Sequence, residues 1–148
     1  MNKFRIAIML LVTLCISCSK KSEIESIFTT SKDEYWHYRD YCLNTKGNYY
    51  KYNKNGIRDK YSLYINKGFV LANIDGDYEE INIPWSIKND STFVVNNGEY
   101  HIEKISNEEI LLSYYHYKIK DKKCFVKLTK WVDGPEGPKP LDSAKVQR

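Results

Sequence analysis

INIPWSIKNDSTFVVNNGEYHIEKISNEEILL, residues 81–112, decides the fold class of this chain. Ile81, Ile83, Trp85 and Ile87 recur at a strict period of two, with Asn82, Ser86 and Lys88 opposite them. Successive side chains of a strand point to opposite faces, so this alternation describes a strand with one buried face. Pro84 falls on the polar face and has no N–H for a ladder, which indicates an edge, a bulge or a bend. Lys88-Asn89-Asp90-Ser91 turns the chain into a second strand, 92–95, and Asn96-Asn97-Gly98 turns it again into a third, 99–105. Ser106 to Glu109 is a polar cap or turn before a fourth, 110–119.

The same pattern extends in both directions. Residues 34–42 read as the first strand of the domain, with Trp36, Tyr38 and Cys42 on one face and Asp40 as the polar exception. Residues 48–52 are the next, ended by Asn53-Lys54-Asn55-Gly56, whose Asn-Gly pair supplies the positive φ angles of a hairpin turn. Tyr61, Leu63 and Ile65 alternate on a third strand, and Asn66-Lys67-Gly68 turns it into 69–74. Asp75-Gly76-Asp77 is another tight turn. Downstream, Asp121-Lys122-Lys123 leads into the last strand, 124–131. Short strands at regular turn spacing argue for an all-β fold. About eight or nine strands joined by hairpin-length turns match the number that closes a small barrel. Closure also removes exposed sheet edges, which template aggregation. The expected fold is an antiparallel up-and-down barrel, with a β-sandwich as the alternative. Cys42 and Cys124 lie in the first and last strands, which pair in a closed meander. A disulfide between them would staple that seam, worth about 4 kcal/mol by chain entropy.

The opening MNKFRIAIMLLVTLCISCSK carries an address. Lys3 and Arg5 precede an apolar run from Ile6 to Leu14, shorter than the roughly 20 residues that cross a bilayer. A basic start, a short apolar core and small residues after it describe a secretory signal. Ile16-Ser17-Cys18 resembles the bacterial lipobox, in which a small residue precedes a cysteine that is acylated and becomes the new N-terminus. The resemblance implies a signal peptide over 1–17 and lipidation of Cys18. Ser19 after the cysteine implies the outer membrane, with the domain facing the periplasm or the cell surface. Two or more acyl chains hold stably on a membrane without crossing it, and an oxidising compartment suits the disulfide. Residues 18–33 then read as a tether, in which Ile24, Ile27 and Phe28 have the spacing of one apolar helical turn. Residues 34–132 form the barrel domain, and 133–148, with three of the four prolines, read as a disordered tail.

The rhythm of residues 85–112 looks like that of the small lipocalin-like proteins found among bacterial lipoproteins: a tryptophan, a polar turn, short strands, then Ile105-Ser106-Asn107-Glu108 before a leucine-rich strand. Trp36 is similar to the tryptophan that plugs the barrel floor in lipocalins. The resemblance implies an eight-stranded barrel that holds a small apolar ligand, with Trp36, Tyr38, Ile83 and Trp85 as interior or ligand-contact residues.

Function classes are narrowed further by what the residues do not assemble. The formal net charge is +4, and Lys3 and Arg5 of the leader account for two of it, leaving +2. That is no basic face for nucleic acid. His37, His101 and His116 are far apart and share no metal-ligand spacing. Asn73, Asp75, Asp77 and Glu79 alternate oxygen donors around Gly76 but lack the flanking helices of a calcium loop, and read as a hairpin tip. No Ser or Cys stands with a base and an orienting acid. The expectation is a non-enzymatic protein without metal or cofactor. Tyrosine is the anomaly, 13 in 148 residues, in runs such as Tyr49-Tyr50 and Tyr114-Tyr115. Neighbours in such runs point to opposite faces, so some must lie outside. Exposed tyrosine suits protein recognition. The alternative function is therefore a periplasmic protein-binding module, an inhibitor or an immunity protein.

Overall fold

In β7 (Ile83–Asn89) the period-two pattern is realised directly: Ile83, Trp85 and Ile87 are buried, and Pro84, Ser86 and Lys88 are exposed. The computed structural model describes residues 21–72, 74–75, 78–79 and 82–141. Ile81, the signal peptide, Cys18 and residues 142–148 lie outside them. A helical segment over 21–28 (α1) precedes β1 (Glu34–Asp40), β2 (Thr45–Tyr52), β3 (Ile57–Tyr64) and β4 (Gly68–Leu71). A small hairpin of β5 (Ile74–Asp75) and β6 (Tyr78–Glu79) leads to β7, followed by β8 (Thr92–Val95), β9 (Gly98–Ile105) and β10 (Glu109–Tyr115). The chain finishes with β11 (Lys123–Gly134) and β12 (Gly137–Pro140).

Eight strands close a barrel in the order β1-β2-β3-β7-β8-β9-β10-β11, each antiparallel to its neighbours, with β1 pairing back on β11. The sheet thus closes on itself, and the sandwich alternative falls away. The closing pair runs in register from Glu34↔Val132 to Asp40↔Val126. Cys42 and Cys124 are bonded just beyond it, with Cα atoms 5.6 Å apart. The β2–β3 turn forms where the Asn-Gly pair places it, but only Gly56 takes a positive φ, +79, and Asn55 does not; Asn53 N–H donates to Ile57 O at 2.9 Å. The weakest seam is β3–β7, held in register only at Ile57↔Pro84 and Arg58↔Ile83. Pro84, with no N–H, helps to end this ladder.

Beyond that seam β3 leaves the cylinder. Its second half pairs with β4, from Tyr61↔Leu71 to Tyr64↔Gly68, so the strand expected over 69–74 is realised as Gly68–Leu71, an outer strand and not a barrel stave. Ile65, expected on the strand, sits in the turn and is fully exposed. The hairpin folds over the outer wall, where Phe69 stacks on Tyr35 at 3.8 Å and meets Tyr49 edge-on at 4.9 Å. Tyr49 in turn meets Trp131 at 5.3 Å. This second aromatic cluster uses the odd-numbered residues of β1, β2 and β11, while the even-numbered Trp36, Tyr50, Tyr52, Val126 and Leu128 belong to the interior. Lys51 stands 4.3 Å over the Tyr35 ring and donates to Lys32 O. Burial lowers its pKa, and Asp33, Asp59 and Asp133 oppose that shift.

The described parts of the expected tether and disordered tail, residues 21–33 and 133–141, are structured. Residues 21–28 are helical and plug one end of the barrel, burying Ile24 and Phe28 in the core. Phe28 stacks on Phe93 with centroids 4.5 Å apart, and its carbonyl accepts from Trp36 Nε1–H at 2.9 Å. Thr30 N–H donates to Tyr52 O. The tail extends β11 to Gly134 and returns as β12, paired from Trp131↔Pro140 to Gly134↔Gly137. The strand expected over 110–119 ends at Tyr115, and the rest turns into β11.

Candidate functional site

Because β1 runs from Glu34 near the helix plug to Asp40 near the disulfide, the two ends of the barrel differ in chemistry. The plugged end is apolar and filled. Trp36 is fully buried there, with Lys130 Nζ 4.7 Å over its ring, and Glu34 lies 3.8 Å from the same ammonium. Burial lowers the Lys130 pKa, and Glu34 opposes that shift. Trp85 is buried beside them, its Nε1–H donating to Asn53 O at 3.0 Å.

Between the plug and the disulfide end lies a cavity of about 160 Å³. Tyr38, Tyr50, Tyr52 and Tyr100 line it together with Arg58, and Phe93, Leu112 and Leu128 form its apolar wall. The Arg58 guanidinium lies 4.4 Å over the Tyr50 ring. Tyr38 shares a hydrogen bond with Tyr100 and donates to Asp40 Oδ2 at 3.3 Å. Tyr114 donates to the same oxygen at 2.8 Å. The other oxygen, Oδ1, accepts the backbone N–H groups of Cys42 and Leu43 at 2.8 and 2.9 Å. Asp40 therefore fixes the β1–β2 turn from inside while collecting two phenols. Burial raises the pKa of Tyr38, Tyr52 and Tyr100 above the ordinary phenol value. Asp40 adds to this at Tyr38 and Tyr100, and Arg58 opposes it at Tyr52 and Tyr100. At neutral pH these hydroxyls are hydrogen-bonding groups and not bases.

The disulfide end is open and aromatic. Tyr115 and Tyr117 are 72% and 75% exposed, and Tyr41 and Leu43 are each 52% exposed. Phe125 is exposed as well, and its carbonyl accepts from Tyr41 N–H at 3.1 Å across the seam that the disulfide closes. Lysines interleave with these rings. The turn over 116–122 carries Lys118, Lys120 and Lys122 against Asp121 alone, and Arg39 lies 4.9 Å over the Tyr41 ring.

Of the residues singled out by sequence, Trp36, Ile83 and Trp85 are buried, and Tyr38 lines the cavity. Trp36 and Trp85 belong to the packed core around the plug, and Cys18 lies outside the described residues. His37 packs between Tyr49 and Trp131 on the outer wall, with its pKa lowered by burial and by Arg39, while His101 lies on β9 and His116 follows β10. Among the described residues no three His, Cys, Asp or Glu side chains gather as a metal site. Asp40 and Arg58 were missed as functional candidates. Asp40 followed by a turn is an Asx-type signal that could have found it, whereas nothing local marks Arg58. No protein-family model, curated protein or solved structure matches the chain.

Proposed function

We propose that this is a membrane-anchored, non-enzymatic lipoprotein with a lipocalin-like barrel, tethered through Cys18 to the outer membrane, whose disulfide end binds a protein partner as an inhibitor or immunity protein would. The observation that carries this reading is the exposed set Tyr41, Leu43, Tyr115, Tyr117 and Phe125 around Cys42–Cys124. It occupies the end of the barrel opposite α1, the element that follows the anchor, so it faces away from the membrane. Large rings at low entropy cost are the side chains that dominate protein interfaces. The lysines around them favour an acidic partner surface.

A second reading, a small ligand inside the barrel, is supported by the tyrosine-lined cavity. At about 160 Å³ it is far below the roughly 300 Å³ at which drug-sized ligand pockets begin. It is close to the about 150 Å³ that admits a benzene-sized molecule. Any such ligand is a single ring or shorter, and meets hydroxyls and a guanidinium as well as apolar walls.

Native mass spectrometry on mature protein, extracted gently from its own membranes, separates the two readings. A protein-sized adduct that is lost in Tyr115→Ser/Tyr117→Ser protein supports the partner reading. A small mass that leaves on denaturation, with no protein adduct, replaces it with the ligand reading. The anchor is tested separately: Cys18→Ser protein should move from the membrane to the soluble fraction, and its retention on membranes would refute the lipoprotein assignment.

A further inference from the structure

The tip of the β3–β4 hairpin presents two apolar side chains and a lysine to solvent and is held at the plugged end of the molecule. Ile65 is fully exposed and Tyr64 more than half exposed, with Asn66 and Lys67 exposed beside them on the same turn. Exposed apolar side chains grouped on one turn mark a contact surface more often than isolated ones do. Three observations fix where this turn sits. Phe69 is stacked on Tyr35 of β1. A Cβ placed on Gly68 would lie 3.7 Å from Asp133 Oδ2. Asp133 N–H donates at 2.8 Å to Asp33 O, at the foot of β1. The hairpin therefore points its tip toward the foot of β1, where α1 enters the barrel, and away from the disulfide end.

The chain outside the described residues arrives at that same end. Cys18 precedes Lys21, the first described residue of α1, by three positions, a reach of about 10 Å when extended. If Cys18 is acylated, the bilayer surface lies within that distance of the start of α1.

We propose that the hairpin tip Tyr64-Ile65-Asn66-Lys67 is a second membrane contact, seated in the headgroup–acyl boundary of the bilayer that holds the Cys18 acyl chains. The proposal rests on the anchor reading above. Each side chain suits that layer. Isoleucine enters the acyl boundary, tyrosine places its ring at headgroup level, and lysine carries its ammonium back to the phosphates. A single tether leaves the domain free to rotate. A second contact fixes the barrel axis and holds the Tyr41–Tyr117 end toward water.

The test uses the full lipidated chain carrying either Ile65→Cys or Tyr117→Cys, each labelled with a nitrobenzoxadiazole fluorophore. The vesicles are phosphatidylethanolamine and phosphatidylglycerol, with or without lipids spin-labelled near the headgroup. Both positions are exposed, so neither substitution removes a core contact. The label at 65 is expected to shift to the blue and to lose emission when the spin-labelled lipid is present, while the label at 117 does neither. If the protein floats with vesicles and the label at 65 is unquenched by lipid, the tip contact is wrong and the anchor stands. If the protein does not float, both are wrong. A label at 65 shielded from aqueous iodide yet untouched by the lipid quencher would show that protein covers the tip, and would also overturn the proposal.

Discussion

Asp40 carries four hydrogen bonds in a barrel interior otherwise lined largely by rings and aliphatic chains: two from phenols and two from the backbone of the turn beside the disulfide. Removing the carboxylate leaves four donors to find water or go unpaired, and a hydrogen bond to a charged group is worth about 1.5–3 kcal/mol. Asp40→Ala is expected to lower the unfolding free energy by about 3 kcal/mol in urea titrations of the oxidised protein. Asp40→Asn should recover part of the loss, since an amide oxygen still accepts. From the sequence Asp40 looked like a break in the alternation of the first strand. Its side chain does face inward with Trp36 and Tyr38, and what satisfies it there is Tyr114, 74 positions away. A partner at that separation is set by strand register, which local pattern does not reveal.

At the level of elements, α1 shows why a short helix escapes sequence reading. Isolated helices below about 12 residues are marginal in water, so one apolar turn at Ile24, Ile27 and Phe28 does not call for a helix. The barrel mouth supplies what the helix lacks, a ring of aromatic side chains in which Phe28 is completely buried. Phe28→Ala is expected to cost about 3–5 kcal/mol, in the range of large-to-small core substitutions. Ser26→Ala, at an exposed position of the same helix, should stay within about 0.5 kcal/mol. Thermal unfolding of the two variants side by side distinguishes a plug from a loose tether. β12 escaped for a different reason. Pro138 and Pro140 pair opposite Asp133 and Trp131, and a strand with prolines survives only at an edge, where a missing N–H is tolerated. Proline-rich sequence reads as disorder until a neighbouring strand is known to be there.

For the whole molecule, the disulfide and the β1–β11 pairing act at the same place. They join the two ends of the barrel sequence, and the disulfide bridges residues 82 apart. Cys42→Ser/Cys124→Ser protein is expected to lose about 4 kcal/mol of stability, the chain-entropy worth of so long a loop. Chemical denaturation against the oxidised parent measures it. Period-two alternation and turn residues determined from sequence alone that the chain is all-β and antiparallel, because these signals are local and forced by backbone geometry. The placement of two cysteines favoured a barrel over a sandwich, and the β1–β11 pairing decided it. Tertiary structure decided how the faces are used. Adjacent tyrosines must point to opposite sides of a strand, but which side becomes interior, outer cluster or open surface depends on what packs there. Tyr50 and Tyr52 face the core, Tyr49 and Tyr35 are covered by the folded-back hairpin, and Tyr115 and Tyr117 meet water. A helix from outside the barrel fills one end and leaves only a small cavity above it. Contacts between residues so distant in the chain arise from closure of the sheet, and no local stretch of sequence encodes them.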